Sequence, residues 1–120
     1  MIRKSLSILG LGALLLLPAC APTPRFEWGA YEQALYAYTV NPENRDAYKQ
    51  SLEQAIARGR ARNAVAPGLL AELGYLHLED GDADQALQCF QEERSLFPES
   101  RVLMDRVIRQ LGGAAAGGQN

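Results

Sequence analysis

PGLLAELGYLHLEDGDADQALQCFQEERSLFPES, residues Pro67 to Ser100, carries two apolar stripes of helical period around one turn. Leu69, Leu70, Leu73 and Leu76, joined by His77, recur at three- and four-residue spacing, which predicts a helix from about Pro67 to Glu79. Asp80-Gly81 reads as a turn. Asp82 with Gln85 three residues on fits a capped helix start. Ala83, Ala86, Leu87, Phe90 and Phe97 then follow helical spacing, so a second helix is expected from Ala83 to about Leu96. Pro98-Glu99-Ser100 breaks it, because a proline inside a helix removes a backbone donor and clashes with the preceding turn.

This hairpin resembles one tetratricopeptide repeat of about 34 residues. Leu70, Leu73 and Gly74 match the first helix of that pattern, Ala86 and Phe90 the second, and Pro98 its closing proline. Gly74 and Ala86 are small where the helices are expected to cross, and Leu70, Leu73 and Phe90 fill the space around the crossing. The chain departs from the pattern at His77, where an aromatic is usual, and at Glu93 and Arg94, where a small residue is usual. A lone repeat leaves apolar faces uncovered and needs helical neighbours on both sides.

Those neighbours are legible. Before the hairpin, Ala34, Leu35 and Tyr38 share a face, with Tyr31 one turn earlier, which predicts a short helix over 31–40. Asn41-Pro42 caps and opens another, expected from Pro42 to about Arg58. Its stripe is Tyr48, Leu52, Ala55 and Ile56, and Gly59 is read as its stop. A loop, Arg60 to Ala66, closes on Pro67-Gly68. After the hairpin, Leu103, Met104, Val107, Ile108 and Leu111 predict a fifth helix over 101–111. Residues 112–120 hold nothing large to bury and are expected to be a disordered tail. The predicted fold is all-α and tetratricopeptide-like, with about five helices and one near-complete repeat in a domain spanning 26–111.

The N-terminus is a different kind of sequence. Arg3 and Lys4 precede an apolar run, Leu6 to Leu17, and Pro18-Ala19-Cys20 follows. Basic head, apolar stretch and small residue make a secretory signal over 1–19, too short and too interrupted by Gly10, Gly12 and Pro18 to span a bilayer. The cysteine resembles that of a lipobox, whose thiol receives a diacylglycerol and becomes the first mature residue. Cys20 is therefore the expected lipidation site, carrying palmitate-type chains, and residues 20–25 a lipidated tether. By resemblance to Gram-negative sorting rules, Ala21 in place of aspartate directs the protein to the outer membrane, facing the periplasm. Removal of the signal takes two of the 12 basic residues and none of the 14 acidic ones, leaving a net charge of −4. A mildly acidic domain is poorly matched to nucleic acid.

Chemistry-bearing groups are sparse. Cys89 is the other cysteine of the chain, so once Cys20 is acylated no internal disulfide can form. No CxxC or HExxH spacing exists, and no metal or cofactor is expected beyond the covalent lipid. His77 has no ligand cluster around it. Glu79, Asp80, Asp82 and Asp84 lack the length and final glutamate of a calcium loop and read as capping residues. Arg58, Arg60 and Arg62 read as a solvated helix end. Ser51, Ser95 and Ser100 have no base at hand by sequence, so no catalytic residue is assigned and the chain is not read as an enzyme. The aromatic block Phe26, Trp28, Tyr31, Tyr36 and Tyr38 has two readings, a belt at the lipid headgroups or the core of the first hairpin, and the spacing favours the core. Ala71, Tyr75, Leu78 and Glu79 occupy positions that line the concave face of tetratricopeptide folds, a candidate partner groove. Burial under a neighbouring helix is the competing reading.

Phe26-Glu27-Trp28-Gly29-Ala30-Tyr31, Pro67 to Leu76, Phe97-Pro98-Glu99-Ser100 and Met104-Asp105-Arg106 together resemble the small lipoproteins of domain-of-unknown-function family 4810. The resemblance covers most of the mature chain. It implies an outer-membrane lipoprotein whose gene neighbours encode a lipoprotein similar to the curli secretion-pore subunit and another small lipoprotein. It carries no catalytic residues. The expected function is a protein-interaction or accessory subunit of an envelope or secretion complex, with other envelope lipoproteins as partners. A structural or regulatory lipoprotein of the cell wall is the alternative.

Overall fold

The computed structural model describes residues 20–117. The expected signal segment, 1–19, and the last three residues of the expected tail lie outside them. Five helices follow one another: α1 (Tyr31–Val40), α2 (Arg45–Ala61), α3 (Leu69–Glu79), α4 (Ala83–Leu96) and α5 (Arg101–Gly117). Short 3-10 turns, Pro42–Asn44 and Pro98–Ser100, precede α2 and α5. Each helix packs mainly on its chain neighbour, so the domain is a row with α1 at one end and α5 at the other. Among the described residues the only β-type pairing is an isolated parallel bridge, Glu27 to Val65. The fold is all-α, as predicted.

Two apolar clusters run through the row. Tyr48, Leu52, Ala55 and Ile56 of α2 meet Leu69, Leu70, Leu73 and Leu76 of α3, with Val65, Ala66 and Cys89. Beyond them, Ala86 and Phe90 of α4 meet Met104 and Val107 of α5. Gly74 marks the α3–α4 crossing: a Cβ there would lie 2.5 Å from Cε1 of Phe90. The ring occupies the volume a side chain would need, which is why the two backbones come so close.

Boundaries at α1, α3 and α4 fall within two residues of the expected ones, but α2 and α5 differ. Gly59 does not end α2. The helix runs through it to Ala61, and Gly59 is instead a close approach, since its Cβ would lie 2.7 Å from Cα of Val65. The stop is supplied by Asn63, which takes a left-handed φ of 53° while the N–H of Ala64 bonds back to the carbonyl of Gly59 at 2.8 Å. A left-handed residue with a six-to-one bond closes the last turn and satisfies carbonyls the helix leaves open. Gly81 does the same after α3, with a φ of 79° and a bond from the N–H of Asp82 to the carbonyl of His77 at 2.8 Å. At the far end α5 continues past Leu111 to Gly117, through residues expected to be disordered, and its three consecutive alanines are strong helix formers. Leu103, expected on its inner face, is half exposed.

α1 has no fully buried residue. Ten residues alone are too few for a stable helix in water. α1 is held by what it touches: Tyr31, Ala34, Leu35 and Tyr38 pack on the first cluster. Tyr38 stacks on Tyr48 with ring centroids 5.1 Å apart, and the amide of Asn44 donates to the carbonyl of Ala37.

Candidate functional site

Three features carry polar or ligand-facing chemistry. The first is where the chain enters the domain. The N–H of Glu27 donates to the carbonyl of Ala64 at 2.7 Å, so the incoming segment lies along the loop between α2 and α3. Arg62 clasps it, donating to the carbonyl of Pro24 and to the carboxylate of Glu27, both at 3.2 Å, and Arg58 stands 3.5 Å from the same carboxylate. Arg58 and Arg62, expected as solvated charges, thus hold the tether, while Arg60 pairs with Glu92. Cys20, the expected lipidation site, is exposed at the head of this segment.

Beside the entry lies an open groove of about 580 Å³, lined by Phe26, Leu96, Phe97, Arg25 and Glu99 among others. Phe26 meets Phe97 edge-on with centroids 6.5 Å apart. Two of the stretches singled out in the sequence, around Phe26 and around Phe97, come together here although 70 residues separate them. Periodicity gave no sign of this meeting, because Phe26 precedes the first helix and has no helical period to reveal its partner.

The second feature is a phenol–carboxylate network. Both Tyr31 and Tyr48 donate their hydroxyls to Glu72, one to each oxygen. Burial and the bonded carboxylate push the Tyr31 phenol up to about 12, and the same two causes raise Tyr48. Both phenols therefore stay protonated donors, and the network ties α1, α2 and α3 together. The aromatic block divides accordingly. Phe26, Tyr31 and Tyr38 pack against the core, while Trp28 and Tyr36 are exposed.

The third is Glu93, the departure from the repeat pattern. It is 1% exposed. Oε1 accepts from the N–H of Gly68 at 2.9 Å and from the hydroxyl of Ser100 at 3.1 Å, so one carboxyl joins the start of α3 to the turn before α5. Oε2 is buried with no partner. Burial raises the pKa of Glu93, and the Gly68 and Ser100 donors only partly oppose it. An acid whose folded pKa is raised contributes its stability below the ordinary carboxylate value and loses it as pH rises through the raised one. Glu93→Gln keeps the accepting oxygen and removes the charge. Relative to the parent, it should gain stability as pH rises from 4 to 8, because the parent alone must bury a charge at the higher pH. Urea denaturation at both pH values checks this. A variant less stable at pH 8 would mean that the positive end of α3 outweighs burial.

The four expected groove residues separate. Tyr75 and Glu79 are exposed, the Tyr75 ring edge-on to Phe90 at 5.2 Å. Ala71 and Leu78 are half-buried against the cluster that α5 completes. Glu79 is also engaged, 3.2 Å from Arg45, which with Lys49 pairs Asp80 as well. That pairing, from the Lys49 ammonium first, lowers the pKa of Asp80. The repeat-defining residues Leu70, Leu73, Gly74, Ala86 and Phe90 are all buried, and Pro98 opens the turn before α5.

The serines have structural partners: Ser51 donates to the carbonyl of Tyr48, Ser95 to that of Gln91 and Ser100 to Glu93. Cys89 is buried, and burial raises its thiol pKa, which keeps it protonated and unreactive. Among the described residues no cluster of histidine, cysteine and carboxylate is arranged for a metal. Among them, too, no helix is long and apolar enough to cross a membrane.

No curated protein and no solved structure matches this chain. A family model does, that of Domain of unknown function (DUF4810), over residues 26–107, which runs from Phe26 into the first two turns of α5. The chain belongs to that family.

Proposed function

We propose that this chain is an outer-membrane lipoprotein, acylated at Cys20, that acts as a protein-interaction or accessory subunit of an envelope or secretion complex. The observation that carries the reading is the clasped tether. Five residues, Ala21 to Arg25, separate Cys20 from Phe26, an extended reach of at most about 17 Å. Arg62 grips that stretch at Pro24, so an anchored domain stands close to the bilayer in a restricted orientation. Two or three acyl chains make such attachment lasting, where one holds only marginally.

The α3–α4 hairpin supports a tetratricopeptide-type repeat as the binding element, with Phe90 seated over Gly74 and α5 as the first helix of an incomplete second repeat. Tyr75 is the exposed aromatic of its inner helix. The partners implied by the family resemblance are other envelope lipoproteins, among them one similar to the curli-pore subunit. No cofactor is invoked beyond the lipid, and no enzymatic step.

Crosslinking followed by pull-down from native envelopes, run in parallel with Cys20→Ala, tests this. Enrichment of a second lipoprotein or pore subunit at least several-fold over a control lipoprotein, lost with Cys20→Ala, is the expected result. Recovery of the chain alone, or only with peptidoglycan fragments, would replace the adaptor reading with the cell-wall one.

A further inference from the structure

The four most exposed large apolar side chains lie at the two ends of the helical row. On α1, Tyr36 is 72% exposed and Val40 67%; on α5, Val102 is 74% exposed and Leu103 50%. A stack of helices needs polar caps on its outer faces to remain separate. Each end mixes charged side chains with exposed apolar ones and is capped only in part.

The two ends also differ in charge. Glu32, Tyr36 and Val40 form an i, i+4, i+8 stripe on the outer side of α1, opposite the half-buried Tyr31, Ala34, Leu35 and Tyr38. α1 carries no basic residue, and the next turns add the exposed acids Glu43 and Asp46. On α5 the outward arc is Val102, Leu103, Arg106 and Arg109, opposite the buried Met104 and Val107. Among the described residues none of Glu32, Glu43, Asp46, Arg106 and Arg109 takes part in an ion pair within the chain. An acidic, apolar end therefore stands opposite a basic, apolar end of the same molecule.

We propose that the outward face of α1 on one copy of this chain binds the outward face of α5 on another, head to tail. The contact is heterologous, because each copy uses two different surfaces and keeps one of each free, so it extends into rows or closes into rings. The tether is held at the loop between α2 and α3, in the middle of the row, by the N–H of Glu27 and by Arg62. Copies related by a shift along the row keep their tethers on one side, which is compatible with one membrane surface. A contact between two single helices is small and weak in solution, and confinement to a surface raises the effective concentration that drives it.

The test uses the full chain in cells. A Tyr36→Cys/Val102→Cys protein is oxidised in the envelope and resolved on a denaturing, non-reducing gel. The expected result is a ladder of dimers, trimers and larger species, several-fold stronger than from a Gln50→Cys/Gln88→Cys control. Cys20 and Cys89 are common to both and cancel. Each single-cysteine chain should give no ladder. Adding Arg106→Glu/Arg109→Glu to the double-cysteine chain should remove most of it, and co-expression with a double-cysteine copy bearing Glu32→Arg/Glu43→Arg should restore mixed adducts. A ladder no stronger than the control overturns the proposal, and so does a dimer from Tyr36→Cys alone, which would mean a two-fold contact. Neither outcome touches the adaptor reading, whose pull-down reports a different protein.

Discussion

Phe90→Ala is expected to lower the unfolding free energy by about 3–5 kcal/mol, the usual cost of truncating a fully buried phenylalanine. The ring has no exposed surface and touches three things at once: Gly74 of α3, the ring of Tyr75, and the cluster that seats α5. A domain of this size has roughly 4–12 kcal/mol in total, so the variant should lose a quarter or more of its stability. The pairing with Gly74 adds a sharper expectation. Gly74→Ala puts a methyl within 3 Å of three ring atoms and should destabilise despite the better helix propensity of alanine. Gly74→Ala/Phe90→Leu should recover part of that loss, since the smaller side chain makes room. Urea denaturation of the parent, Gly74→Ala, Phe90→Leu and the double variant gives the coupling energy directly. Additive losses would mean that the ring does not set the helix crossing.

Gly59→Val should cost a comparable amount, about 2–4 kcal/mol, by overpacking. Here the neighbours are backbone. The Cα and N of Val65 would lie 2.7 and 2.9 Å from the new Cβ, and the carbonyl of Ala64 3.1 Å away. A flexible side chain could swing aside, but these atoms belong to the loop that receives Glu27 and that Asn63 folds back from α2. Displacing them should release the tether clasp as well as lower stability. The second effect separates this variant from Phe90→Ala. Protease cleavage between Pro24 and Trp28 should quicken for Gly59→Val under conditions where the rest of the domain remains folded. Equal cleavage in the two variants at matched stability would show that the tether is not tied to this loop.

Helix positions were legible because periodicity reports burial. α1 and α4 have the bounds that apolar spacing and the flanking Asn41, Asp82 and Pro98 predict. Gly74 was legible as a crossing residue because a helix pair that approaches closely admits only a small side chain there. Gly59 was misread. A glycine that ends a helix and a glycine that admits a neighbouring strand of chain look alike in sequence, and only the position of Val65 distinguishes them. Leu103 was misread for a related reason. Period places it near the inner arc of α5, but the row ends there and no further helix covers it.

By itself, then, the sequence determined the all-α class, the order of the helices and the place of Gly74 at the α3–α4 crossing. These are consequences of local spacing, which a linear chain displays. The tertiary structure decided what depends on distant residues meeting: the clasp of Arg62 on Pro24 and Glu27, the phenols of Tyr31 and Tyr48 on Glu72, the burial of Glu93 against Gly68 and Ser100, and the opposed charges of the two end faces. None has a period. Each exists because packing of the apolar stripes brings polar groups from separate elements within reach, and the desolvation of a buried polar group then forces it to find a partner.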